Sequence, residues 1–151
     1  MNYIIKRWGK CELLGKNNQD NARLECFLSI FNEIAGAVRM LFFNKEHETA
    51  RVELLQKYSS KLDDLNKYIG ENGFVLGYLT LADFIVAENS YYIETVYPEQ
   101  FKTWPFLLKI RNNFNSLPEI AAYYKSNNAF KGDFFPPYAF LKVPLPVELT
   151  A

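Results

Sequence analysis

The segment LGYLTLADFIVAENSYYIETVY, residues 76–97, decides how this chain folds. Thr80 and Asp83 stand at the spacing of a helix capping box, in which each side chain satisfies a backbone N–H of the first turn. Asp is less usual than Glu at the second position because its reach is shorter. Leu79 before the cap and Phe84 after it fit a hydrophobic staple. Around Phe84 to Ala87 the predicted helix is apolar on nearly every side, which marks it as central and buried. A helix buried on all sides requires other helices around it.

The flanking sequence supplies them. Upstream, Leu24, Phe27, Leu28, Phe31, Ile34, Ala35, Val38 and Leu41 recur at steps of three and four. That spacing predicts a long amphipathic helix reaching about Phe43, capped by Asn17 or Asn18. After the polar turn NKEHE, a second long helix is expected with Val52, Leu55, Leu62, Leu65 and Ile69 inside. Two long helices joined by a short link pack antiparallel. The chain opens with MNYIIKRWGKCELLGKNN, where Tyr3, Ile4, Ile5 and Trp8 form an apolar stripe and Lys6, Arg7 and Lys10 lie off it. A helix this short needs a partner surface, and Gly15 is its expected stop.

Downstream, TWPFLLKIRNNF predicts a helix with Thr103 as cap and Pro105 in the first turn. SLPEIAAYYKSNN predicts another, with Ser116 and Glu119 as a second capping box. From residue 129 onward, four prolines and a dense aromatic patch predict an extended tail lying on the helices. The fold class is all-α, a bundle of about six helices.

Composition narrows the function classes. A chain of 151 residues buries roughly 70% of its unfolded surface, enough for its own core. The 49% apolar and 17% aromatic content argues for packing and against disorder. Seventeen basic residues balance seventeen acidic ones, so the footprint of a nucleic-acid binder is missing. The longest uncharged run, Asn72 to Ala82, is about 11 residues, well short of a membrane span. With no secretory segment legible, Cys11 and Cys26 are expected as reduced thiols in an intracellular, by default cytoplasmic, protein, Cys26 toward the core and Cys11 exposed. His47 sits between Glu46 and Glu48 without a second His or Cys at ligand spacing, so a solvated helix start is expected and no metal site.

The order of these signals resembles the C-terminal helical domain of cytosolic glutathione transferases, nearest the mu and sigma-like classes. The resemblance runs from Met1 to about Ser126 and is carried by G-x-x-T-x-A-D-F at 77–84 and L-P-x-I-x-x-Y at 117–123. It implies that the opening helix corresponds to the last helix of a thioredoxin-like domain, the half that binds glutathione and activates its thiol in that family. The expected division is a remnant helix and linker at 1–16, the helical domain at 17–128 and the tail at 129–151, with the glutathione half lacking. Glutathione is then expected only as a substrate, and only if that half is supplied; no cofactor is implied.

The resemblance also implies site residues. VRMLFFN, residues 38–44, matches the M-L-C-Y-N pattern of the mu class and sets Phe43 where that class has an assisting tyrosine. Phenylalanine has no proton to donate, so that assistance would be lost. Stepping back along the helix, Arg39, Gly36 and Asn32 share its face as an expected electrophile wall, with Tyr138 and Phe140 as rim. Glu33 resembles the acidic residue that reaches a neighbour's glutathione in dimers of the family, which makes a homodimer one expected assembly.

Two functions are therefore expected. In the first, the domain is a non-catalytic interaction module in which Ile4, Ile5 and Trp8 form a patch covered by a protein partner. In the second, it is the electrophile-binding half of a glutathione transferase.

Overall fold

The computed structural model describes residues 2–129 and 135–143, so the parts of the expected tail at 130–134 and 144–151 lie outside the described residues, as does Met1. The described residues form seven α-helices and one short 3-10 turn and contain no strand. The helices are α1 (Asn2–Arg7), α2 (Asn18–Leu41), α3 (His47–Ile69), α4 (Leu81–Val96), α5 (Pro98–Phe101), α6 (Pro105–Asn115) and α7 (Pro118–Lys125); the 3-10 turn is Cys11–Leu14. Gly15 ends that turn at φ 108°, and a side chain there would meet the Asn21 backbone nitrogen at 2.8 Å. Only glycine fits on both counts.

Helix α4 is central, packed against both α6 and α2. Its capping box is formed by Thr80 and Asp83, both fully buried. Asp83 Oδ2 accepts the Thr80 N–H at 2.7 Å and the Thr80 hydroxyl at 2.8 Å. Asp83 Oδ1 accepts the Val75 N–H at 2.7 Å. One carboxylate thus ties the incoming loop to the first turn. Burial pushes its carboxyl above the ordinary aspartate range, and the bonds from Val75 and Thr80 oppose that push.

Helix α2 is capped by Asn17, whose Oδ1 accepts the Asp20 N–H at 2.9 Å. It buries Leu24, Phe27, Phe31, Ile34, Ala35, Val38 and Leu41, the expected stripe, with Leu28 half-buried. Helix α3 buries Tyr58, Leu62, Leu65 and Ile69. Val52 departs from the expected inward set and is 53% exposed. At roughly 100° per residue it falls about 120° off the stripe that Tyr58 begins. Glu33 meets Lys61, whereas Ala22 shares a groove with Tyr68, so α2 and α3 run antiparallel.

Two expected caps are corrected. The N-cap of α6 is Trp104, not Thr103. The Thr103 hydroxyl donates instead to the Gln100 carbonyl at 2.7 Å, closing α5, while Trp104 is buried with its Nε1–H on Asp63 at 2.8 Å. Likewise Ser116 is the C-cap of α6, its hydroxyl donating to Asn113 O at 2.8 Å, and Leu117 is the N-cap of α7. The preceding helix claims Ser116, so the second capping box does not form.

The described tail packs as expected. Phe135, Ala139 and Val143 join the core, and Phe135 stacks on Phe42 with centroids 4.3 Å apart. The Phe140 N–H donates to the Phe42 carbonyl at 2.8 Å.

Candidate functional site

The expected electrophile wall begins on the solvent side of α2. Asn32 and Arg39 are exposed and Gly36 is half-buried. Nothing lies within 4 Å of where a Gly36 side chain would start, so the helix backbone faces open space there. Phe43 lies past the end of α2 at Leu41, carried on a tight turn in which its N–H donates to Met40 O at 3.2 Å. Its ring is 39% exposed, meets Phe135 edge-on at 5.5 Å and lies 6.0 Å from Tyr138. The fold therefore brings Phe43 and Tyr138 together and holds Phe140 beside them through the Phe42 carbonyl. Asn32, Gly36 and Arg39 continue the face along the helix.

Two neighbours of this face escaped the sequence reading. Met40 is 67% exposed and extends the apolar end of the surface; its place beside Arg39 on the same turn was the available signal. Tyr92 of α4 lies beneath, its ring 5.3 Å from Phe135 and 5.9 Å from Phe42. Burial pushes its hydroxyl up to about 12, the Glu88 carboxylate adds to the push, and Arg39 pulls the other way. Tyr92 thus stays protonated at neutral pH, its hydroxyl donating to Glu88 Oε1 at 3.3 Å. Taken together, the surface offers aromatic stacking, one guanidinium and an unencumbered backbone. This suits an apolar or aromatic body, and Phe43 brings no proton to it.

Glu33 lies on another side of α2. Lys61 Nζ donates to its Oε2 at 2.8 Å and the Tyr58 hydroxyl to its Oε1 at 3.1 Å. These two bonds, Lys61 first, hold its carboxyl below the ordinary glutamate value.

On α1, Tyr3 and Trp8 are each 77% exposed and Ile4 is 58% exposed. Ile5 departs from the expected patch: its side chain is buried. Residues 4 and 5 are adjacent and so lie about 100° apart on the helix, and Tyr3 takes the vacated place. Lys6, Arg7 and Lys10 are exposed around this surface.

His47 is the first residue of α3 and is half-buried, with Nδ1 3.5 Å from Glu48 Oε1. Cys11 and Cys26 are both exposed. For Cys26 this corrects the expected core placement: it falls between Phe27 and the outward face of α2, on a groove shared with α3. Among the described residues no group of His, Cys, Asp or Glu is arranged to hold a metal ion. No helix among them is long and apolar enough to cross a membrane.

Known proteins share this architecture. The model of the glutathione S-transferase C-terminal domain matches residues 22–127. Human glutathione S-transferase A2 is 21% identical over 137 residues, covering 87% of this chain and 60% of that protein. A solved structure of rat hPGDS complexed with a quinoline superposes with a TM-score of 0.65 at 22% identity, covering 79% of this chain and 63% of that one. The chain therefore spans about six-tenths of the length of these relatives.

Proposed function

The chain belongs to the glutathione S-transferase C-terminal domain family, and we propose that it works as a helical docking module in a larger assembly whose partner covers α1. The observation that carries this reading is the exposure of Tyr3, Ile4 and Trp8 on one short helix. Burying each such side chain contributes roughly 1.5–3 kcal/mol, so a complementary surface gains several from this patch alone. Lys6, Arg7 and Lys10 edge it, and Glu12 is the first acidic residue in the sequence. The fitting partner surface is apolar with carboxylates at its margin, on the same polypeptide or another.

A second reading is favoured by the open space at Gly36 and the Phe43–Tyr138 pair. In it, this face is the electrophile wall of a transferase that conjugates glutathione to apolar electrophiles once a thioredoxin-like half supplies the thiol. Glu33 would have to release Lys61 and Tyr58 to reach a neighbour's glutathione. Titrating the chain with glutathione in a calorimeter tests the first reading. A docking module gives no saturable heat, and saturable binding at millimolar or tighter affinity would overturn it.

A further inference from the structure

Between α2 and α3 lies an open groove of about 480 Å³ that the readings above leave unused. Phe27 and Leu65 form its buried floor, and the exposed side chains of Ile30 and Tyr68 form its walls. That volume is in the range of small-molecule sites, which are mostly apolar with a few placed polar groups. Cys26, Arg23, Lys61 and Asp64 complete the rim.

The charges on that rim do not balance. Asp64 is paired with Lys67 at 3.4 Å, and Lys61 with Glu33 at 2.8 Å. Arg23 has no such partner: its nearest carboxylate oxygen, Asp20 Oδ1, is 3.8 Å away, beyond hydrogen-bond reach. Asp20 Oδ2 already accepts the Tyr78 hydroxyl at 2.7 Å and Asn17 Nδ2 at 3.3 Å. One uncompensated guanidinium, 61% exposed, therefore stands at the edge of an apolar trough.

We propose that this groove binds an amphipathic monoanion, an aliphatic or aryl carboxylate, with its apolar body over Phe27, Ile30, Leu65 and Tyr68 and its carboxylate on Arg23. A guanidinium and a carboxylate meet in a two-pronged, charge-assisted geometry, which fixes the head while the trough removes the chain from water. The one remaining anion on the rim, Asp64, is held by Lys67 and does not cancel Arg23. A neutral ligand would leave that guanidinium unused, and a dianion would meet Asp64.

The test uses the whole chain with dodecanoate as probe. Cys26 lines the groove and Cys11 lies outside it, so iodoacetamide alkylation of the two exposed thiols reports occupancy at one and serves as a control at the other. Dodecanoate should bind at one site by calorimetry and slow alkylation of Cys26 while leaving Cys11 unchanged. Arg23→Glu, a surface change that leaves the circular dichroism spectrum intact, should weaken binding by about tenfold and lift the protection. Binding unchanged in that variant, or no protection of Cys26, would overturn the proposal. So would a dimer mass by light scattering with Cys26 already shielded in the absence of probe, since a second copy would then occupy the groove.

Discussion

Asp83 reaches back eight residues to accept the Val75 N–H at 2.7 Å, while its second oxygen accepts the N–H of Thr80. That pair of bonds anchors the loop between α3 and α4 to the start of the central helix. Truncating the carboxylate leaves two buried N–H groups without acceptors. Asp83→Ala should lower unfolding stability by about 3 kcal/mol in urea, with the m-value unchanged. Asp83→Asn should cost less, because its amide oxygen still accepts one of the two.

Phe135 is the nail that holds the tail. Its ring lies 8° from parallel with Phe42, and the Phe140 N–H bonds to the Phe42 carbonyl. Phe135→Ala removes packing worth about 3 kcal/mol. By hydrogen exchange, the Phe140 amide should lose protection more than the amides of α4 do. Equal loss throughout would mean that the tail and bundle open as one unit.

Gly36 has no contact that a methyl group would disturb. Gly36→Ala should therefore stabilise the chain by about 0.8 kcal/mol in thermal or urea unfolding, the ordinary gain from replacing a helical glycine. A loss of stability would show that the open space is closed in solution.

Glu33 gives the pH dependence. Its folded pKa lies below the ordinary glutamate value, so the carboxylate is favoured in the folded state. Its contribution is thus present above the unfolded pKa and is lost as pH falls through the lower, folded value. Glu33→Gln should be less stable than the wild type at neutral pH and equal to it in strong acid. Because the group is exposed, added salt should shrink the gap.

The sequence made the α2 stripe and the Thr80–Asp83 box legible because both are local patterns: a helical period and a fixed three-residue spacing. What escaped it depends on competition between neighbouring elements. Ser116 could begin a helix or end one, and only the reach of α6 decides. Thr103 loses its capping role because Gln100 O takes its hydroxyl and Asp63 fixes Trp104 in the interior. In the same way, the orientation of α3 around Tyr58 turns Val52 outward, and the placement of Cys26 follows from how far α2 stands from α3. At the candidate wall, the helical spacing found Gly36 and Arg39. Tyr92 could not be found that way, since its proximity to Phe42 and Phe135 is a tertiary contact.

The docking claim rests on the outer face of α1. A tagged copy of this chain expressed in its own cells, sized by chromatography with light scattering, tests it most directly. The account predicts a mass well above 17.6 kDa for the wild type. It also predicts return to the free chain for the double variant Ile4→Glu and Trp8→Glu, with circular dichroism unchanged. Wild type and variant running at the same mass would contradict it.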